Sequence, residues 1–357
     1  MFEKIFHLKE HNTNVRTECI AGVTTFMTMA YILAVNPSIL SSTGMNPTAV
    51  LLATCLASFL GTMCMGMMAN LPFALSAGMG LNAFFAYTVC GNMGYPWQVA
   101  LLAVFVEGIV FIVLSLTNVR EALFNVIPLS LKKAVSVGIG VYIAFIGLQN
   151  AGVVVNSDST LVTVVSFTDN FRTGGICALL AIIGTLFTAF LYIKRVKGSI
   201  LIGILAGYVA AFVMGLVLPT TGVTADGVEF TKAWVLNWNK VAQASWFAIP
   251  KLMPVKIVFD MRAIMPVMIM FVVTAVETVG DISGVMEGGM NREPTDKELS
   301  GGVICDGLGS SFAALFGVLP NTSFSQNVGL VAMTKVVNRM ALASGAIFLI
   351  LCGLIPK

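Results

Sequence analysis

The sequence has little charge. Asp, Glu, Lys and Arg make up 10% of its 357 residues, while 57% are hydrophobic and the net charge is +3. A soluble domain carries about a quarter charged residues. The composition therefore excludes an ordinary soluble globular protein, and the small net charge gives no indication of nucleic-acid binding.

Patterns typical of metal sites, disulfide frameworks and hydrolases are also missing. The two histidines lie near the N-terminus, and the seven cysteines are scattered without paired spacing. We therefore expect no metal, no cofactor and no disulfide framework. The sequence contains no HExxH, GxSxG or clustered His/Asp pattern, which argues against an intramembrane enzyme. The N-terminal stretch "MFEKIFHLKEHNTNVRTE" lacks the apolar core of a signal peptide.

Long apolar runs dominate the sequence. Windows of about 20 apolar residues are long enough to cross a bilayer as helices. They predict a multi-pass protein of the plasma membrane. Lys and Arg cluster before the first span and in alternate loops, which predicts a cytoplasmic N-terminus, although the lysines of loop 220–262 blur this pattern. The predicted spans lie near 18–35, 48–69, 73–90, 97–117, 131–151, 174–193, 199–218, 262–286, 300–319, 322–339 and 340–355.

Two of these spans contain helix-breaking and polar residues. The third, "LPFALSAGMGLNAFFAYTV", includes Pro72, Gly78, Gly80 and Asn82, and the tenth opens with "PNTSFSQNVG". Irregular backbone at membrane depth must be buried in protein or line a cavity. One interrupted segment in each half of a transporter indicates a substrate site.

The positions of the two interrupted spans, seven spans apart, predict a seven-plus-seven inverted repeat with broken third and tenth helices. Fourteen helices would be needed and about eleven are present, so we expect a truncated or incomplete product. The predicted organisation is a cytoplasmic segment 1–17, a first repeat 18–218, a loop 219–261 and a partial second repeat 262–357.

Carboxylates inside spans are candidate functional groups, because such residues usually face the bundle interior and mark substrate or proton paths. Glu277 and Asp281 are four residues apart and share one helix face. The alternative is that a hydroxyl or backbone amide merely holds them. Asp306, near the start of the predicted ninth span, is either functional or an acid in contact with water. Glu107, in the fourth span, receives no role.

The amides of the tenth span are candidate ligand contacts. Gln326 and Asn327 fall where a half-helix would begin, and amides with free backbone N–H groups complement the N–H and C=O of a purine or pyrimidine lactam. The alternative is that they join helices to each other. Phe84 and Phe85 in the third span could stack on a flat ring, although a phenylalanine in a membrane helix more often contacts core or lipid.

These segments resemble the nucleobase–cation symporter-2 group of permeases. "QNVGLVAMTK" matches the nucleobase–ascorbate transporter signature at every specified position. "ETVGDISG" and "CDGLGSSFAALFGVLPNTSFSQN" resemble xanthine and uric acid permeases. Residues 1 to about 240, with "AGVTTFMTMAYILAVNPSIL" and "SAGMGLNAFFAYTV", are more similar to the guanine/hypoxanthine branch.

The resemblance implies a core and a gate domain, short strands in the broken helices, and proton-coupled uptake of xanthine, uric acid, guanine or hypoxanthine. Glu277 and Gln326 would contact the purine, and Asn327 would shape the site. Asp281 and Asp306 would serve proton coupling or site organisation, and Phe84 or Phe85 would be the stacked aromatic. The expected partners are the purine, the proton and the bilayer, and we also consider a homodimer.

Two other transport functions stay open at this point. A permease for uracil or another nucleobase is disfavoured because Gln326 stands where the uracil branch tends to have Glu. An anion transporter or channel on the same fold is disfavoured by Glu277, since an anion site would favour a helix N-terminus without a neighbouring carboxylate.

Overall fold

The computed structural model describes residues 13–116, 147–168, 171–196, 199–217, 221–223, 229–231, 261–318 and 321–354, together with Leu8 and a few positions between 134 and 145. The chain divides into two compact units, Met1–Ile139 with Ser245–Lys357, and Gly140–Ala244. About half of the predicted span 131–151 and most of the predicted loop 219–261 lie outside the described residues.

The first unit is helical. Its α-helices are α1 Val15–Met29, α2 Ile32–Ser41, α3 Pro47–Cys64, α4 Met79–Ala83, α5 Trp97–Leu116, α8 Met261–Met290, α9 Asp296–Leu315, α10 Ser325–Thr334 and α11 Arg339–Leu354. Two π-helical segments, Met65–Ala69 and Phe84–Asn92, continue α3 and α4. Its strands are β1 Leu75–Ala77 and β6 Asn321–Ser323.

Polar residues at the helix starts explain several of these boundaries. Asn14 caps α1 by accepting from the Thr17 N–H. Asn46 accepts from the Thr48 and Ala49 N–H groups ahead of α3, where Pro47 occupies the first helical position. A helix start leaves backbone N–H groups without intrahelical partners, and these side chains satisfy them.

The second unit contains β2 Val154–Ser157, β3 Leu161–Val164, a π-helical segment Phe171–Gly175, α6 Ile176–Ile193, α7 Ser199–Val217, β4 Thr221–Val223 and β5 Glu229–Thr231. Strands β2 and β3 form an antiparallel hairpin, and so do β4 and β5. Helices α6 and α7 pack against each other and leave most of their apolar side chains exposed. Exposed apolar helix faces of this length suit contact with lipid.

The predicted membrane character is confirmed. Within the described residues, four helical stretches are long and apolar enough to cross a membrane: Val15–Ser41, Pro47–Ala69, Ile176–Ile193 and Ser199–Val217. The first is longer than predicted, and two turn residues, 30 and 31, separate α1 from α2 within it. The predicted breaks in the third and tenth spans are present as β1 and β6.

Helices of the first unit pack closely where they carry small residues. A β-carbon added to Gly22 of α1 would lie 2.5 Å from the Ala341 carbonyl oxygen and 2.9 Å from the Gly345 nitrogen of α11. Small residues let membrane helices approach at backbone distance, where van der Waals contact replaces the hydrophobic effect as the source of association.

Candidate functional site

Strands β1 and β6 pair with each other and lie at the centre of the first unit. Leu75 faces Ser323, Ser76 faces Thr322 and Ala77 faces Asn321 in an antiparallel register. Both strands are buried, so their backbone groups need protein partners.

Side chains around the paired strands hydrogen-bond to backbone N–H and C=O groups, including those of Leu75, which the strand pairing leaves without partners. The Thr62 hydroxyl of α3 donates to the Leu75 carbonyl oxygen at 3.0 Å and accepts from the Leu75 N–H at 3.1 Å. The Asn321 amide donates to the Ala57 carbonyl oxygen of α3 at 2.9 Å. These contacts fix the two broken helices to α3.

The two carboxylates of α8 lie beside the start of α10. The Ser323 hydroxyl donates to Asp281 Oδ2 at 2.5 Å, and the Ser325 hydroxyl lies 2.9 Å from the same oxygen and 3.0 Å from Glu277 Oε1. Asp281 is fully buried, whereas Glu277 is half-buried. The alternative that a hydroxyl holds the carboxylate therefore describes the geometry of Asp281. Glu277 has the more accessible carboxylate of the pair.

Asn327 connects the two broken helices. Its side-chain Oδ1 accepts from the Ala74 N–H at 2.9 Å, while the Phe324 N–H donates to the Ala74 carbonyl oxygen at 3.0 Å. Asn327 is buried, and its Nδ2 has no partner among the described residues. The role of this amide in shaping a substrate site stays a prediction.

Gln326 is the half-buried residue of the first turn of α10, and its Nε2 donates to the Tyr31 hydroxyl at 3.1 Å. No side chain caps this helix at Phe324. The backbone N–H groups of Ser325 and Gln326 have no acceptor within the described part of the chain. An uncapped helix start beside a half-buried carboxylate presents N–H donors and a strong acceptor side by side.

Asp306 lies deeper than the sequence predicts. Helix α9 begins ten residues earlier, at Asp296, where Thr295 and Glu298 form a capping box. Asp306 is 1% exposed and its Oδ2 accepts from the Thr278 hydroxyl at 2.5 Å. Of the two alternatives given for Asp306, the one that places it at a helix start in contact with water is wrong; its functional role stays a prediction. Thr278 follows Glu277 in the chain, so Asp306 is one residue removed from the site.

Phe84 and Phe85 are not brought to the carboxylates. Phe85 is fully buried in a hydrophobic cluster with residues of α2, α3, α4, α5 and α9, and Phe84 packs against the same cluster. Their stacking role therefore stays a prediction without a contact to support it.

Asn82, in the same broken span, is held by a buried chain of hydrogen bonds. Its Nδ2 donates to Asn36 Oδ1 at 2.5 Å, and Asn36 Nδ2 donates to the Thr54 hydroxyl at 2.8 Å. This chain ties α4 to α2 and α3.

Sequence reasoning missed two contributors. Tyr31 is an aromatic residue in an apolar span, and nothing in its neighbourhood indicated a partner in α10. Thr278 stands between two acidic positions, and only its spatial contact with α9 reveals its role. Within the described residues, no group of three or more His, Cys, Asp or Glu could hold a metal ion.

Comparison with known proteins places this geometry in a family. The family model Xan_ur_permease, described as "Permease family", matches residues 16–357. Guanine/hypoxanthine permease PbuG of Bacillus subtilis is 34% identical over 355 residues, covering 97% of this chain and 76% of PbuG. Adenine permease AdeP of Escherichia coli is 42% identical over 215 residues, 60% of this chain and 47% of AdeP. A permease of Methanocaldococcus jannaschii is 46% identical over 214 residues, so the chain spans about half the length of these last two relatives.

Among solved structures, the transmembrane domain of the cyanobacterial bicarbonate transporter BicA is similar, with a TM-score of 0.53. The likeness covers 95% of this chain and 82% of that domain at 13% sequence identity, so it shows the fold alone. The predicted transporter fold class is thereby confirmed. The chain, with its two broken helices meeting in paired strands, belongs to the Xan_ur_permease family, the nucleobase–cation symporter-2 group, whose members are membrane transporters and not enzymes.

Proposed function

We propose that the protein carries a purine nucleobase across the plasma membrane together with a proton. The observation that carries the proposal is the half-buried Glu277 carboxylate beside the uncapped start of α10. A purine edge that presents an N–H next to a C=O complements it, because the carboxylate accepts from the N–H and the helix N–H groups donate to the C=O. Gln326 supplies a further amide at the same place.

The names of the relatives support a purine. PbuG and a second Bacillus subtilis protein, PbuO, are named as guanine/hypoxanthine permeases, and AdeP as an adenine permease. The likeness to PbuG extends over 97% of the chain. It therefore runs through the second half, whose motifs resemble the xanthine and uric acid branch. Guanine and hypoxanthine are the first substrates to try, and xanthine, uric acid and adenine follow.

Proton coupling rests on the pair of carboxylates. Glu277 and Asp281 both contact the Ser325 hydroxyl, and neither pairs with a Lys or Arg among the described residues. Two uncompensated negative charges at membrane depth are costly. A proton held by the pair lowers this cost, and a base that binds at Glu277 changes the affinity for that proton.

We also propose the domain organisation predicted above, with repeats at 18–218 and 262–357 joined by 219–261 and with a cytoplasmic N-terminus. Single cysteines introduced into the loop around Gly94 and into the N-terminal segment test the orientation. Their reactivity towards a membrane-impermeant reagent is measured from outside the cell. Labelling from outside at both places would contradict it.

The function is tested by uptake of radiolabelled purines in cells lacking their own purine permeases, with and without a protonophore. Glu277→Gln should abolish protonophore-sensitive uptake while the protein still reaches the membrane. Glu287→Gln, further along the same helix, is the matched control and should keep the protonophore-sensitive uptake. Undiminished uptake by Glu277→Gln would show that the Glu277 carboxylate is not needed for purine transport or for its coupling to protons. Uptake of bicarbonate or sulfate in place of any purine would favour an anion carrier on the fold shared with BicA.

A further inference from the structure

Glu107 is a buried acid on α5 that the proposed site does not use. It is 2% exposed, and its Oε2 has no partner among the described residues. An ionised carboxylate buried without a counter-charge costs several kcal/mol, and a bound proton removes most of that cost.

The residue that follows Glu107, Gly108, lies at a close contact between α5 and α9. A β-carbon added to Gly108 would lie 2.9 Å from the Gly307 carbonyl oxygen and 3.0 Å from the Ser311 nitrogen, and it would collide with the Ser311 hydroxyl. Gly307 follows Asp306. Glu107 and Asp306 are therefore each one residue away from the same backbone contact.

Two more oxygen atoms on α9 lack partners. Among the described residues, neither the hydroxyl of Ser311, which is 8% exposed, nor the Oδ1 atom of Asp306 has a hydrogen-bond partner. Buried polar atoms nearly always find a partner. Glu107, Asp306 and Ser311 all belong to the contacting helices α5 and α9, and the charges of Glu107 and Asp306 act on each other. A proton, or a water that carries one, would satisfy their oxygens.

Asp306 also connects this contact between α5 and α9 to the proposed substrate site at Glu277. Asp306 Oδ2 accepts from the Thr278 hydroxyl, and Thr278 is adjacent to Glu277. None of the carboxyl groups of Glu107, Glu277, Asp281 and Asp306 pairs with a Lys or Arg in the described part of the chain. The ionisable described groups on elements packed against α5 or α9 are Glu277, Asp281 and Glu287 on α8, Cys305, Asp296, Lys297 and Glu298 on α9, Tyr87 and Cys90 on Phe84–Asn92, and Cys55 and Cys64 on α3.

We propose that Glu107, Ser311 and Asp306 form a proton-holding site that extends the coupling route from Glu277 to α5. The inference rests on the proposed function, because it gives the transported proton a second place to reside. Each step moves one proton from a carboxyl oxygen to another carboxylate through the Ser311 hydroxyl or a water. The total charge of the site is unchanged by the transfer, and no other reactant is needed.

Infrared difference spectroscopy of the purified protein tests the site without any substrate. We expect a protonated-carboxyl C=O band at neutral pH that Glu107→Gln removes. Ser311→Ala should shift this band, because the hydroxyl no longer hydrogen-bonds to the acid. The proposal would be overturned if Glu107→Gln kept every protonated-carboxyl band of the parent, or if the band did not shift in Ser311→Ala. Ser311→Ala also tests it should Glu107→Gln fail to fold.

Transport by the same variants separates this proposal from the proposed function. Glu107→Gln should bind hypoxanthine as the parent does and exchange it in counterflow, while accumulation driven by a pH gradient falls on the order of tenfold. Parent-like accumulation by Glu107→Gln would overturn the inference and leave the purine site intact. A parent that neither binds nor accumulates any nucleobase would instead refute the proposed function, and the infrared bands would still decide whether Glu107 holds a proton.

Discussion

Removing the Thr62 hydroxyl tests whether the paired strands depend on side chains of α3. Thr62 is buried, and its single hydroxyl serves both the N–H and the C=O of Leu75. Thr62→Val keeps the side-chain shape and leaves one donor and one acceptor buried without partners. Each such group costs about 1–3 kcal/mol, so we expect a loss of about 2–6 kcal/mol in the free energy of unfolding.

The matched control is Thr24→Val on α1. Thr24 is also buried, but its hydroxyl donates to the Ile20 carbonyl oxygen one turn back on its own helix. That carbonyl keeps its helical hydrogen bond when the hydroxyl is removed, so the control should lose less than about 1 kcal/mol.

Thermal unfolding of the purified protein in detergent measures the difference. A loss of 1 kcal/mol lowers Tm by about 2–4 °C in a domain of 150–250 residues and by less in a longer chain, so Thr62→Val should unfold at least about 2 °C below the parent. Equal Tm values for Thr62→Val and Thr24→Val would refute the reasoning, since the strand edge would then have other partners.

Two further predictions concern the edge of the site and the start of α9. Tyr31→Phe removes the acceptor of the Gln326 amide and should weaken nucleobase binding about fivefold, the equivalent of one hydrogen bond. Tyr87→Phe, which changes an exposed residue, should leave nucleobase binding unchanged. Equilibrium binding of a nucleobase to both variants measures the difference. The hydrogen bonds from Arg292 lower the pKa of Glu298 to about 2 from an ordinary value of 4.5, so their stabilisation is present above pH 4.5 and lost as the pH falls towards 2. Arg292→Gln should therefore lower the free energy of unfolding at pH 7 by under about 1 kcal/mol. The difference in Tm between parent and variant should be smaller near pH 3. A difference that grew on acidification would contradict this assignment.

The spans and their breaks were predictable because they depend on local properties. A run of apolar residues identifies a membrane helix whatever its neighbours are, and a proline followed by amides and hydroxyls breaks it anywhere. The paired strands followed from the resemblance to a family. Their register depends on contacts such as that between Ala74 and Asn327, which no local pattern contains.

The site was predicted less completely for two reasons. The apolar run that begins near residue 300 predicts a helix start close to Asp306, whereas the capping box of Thr295 and Glu298 starts the helix earlier. The sequence "TDKE" carries the signal for this earlier start. Phe84 and Phe85 are candidates because of their aromatic rings, but in an apolar helix the sequence does not distinguish a ring that faces a ligand from one that faces the core.

The pairing of β1 with β6 also has a consequence for how the protein is made. Ala74 and Asn327 hydrogen-bond across 253 positions of the chain. At about 5–20 residues per second, the ribosome needs on the order of 10–50 s to synthesise that interval. During this time the first broken helix is already made while its partner strand does not yet exist. The unpaired edge of β1 must be shielded meanwhile by α3, by water or by the insertion machinery, so the nascent first half is the stage at which this protein depends most on assistance.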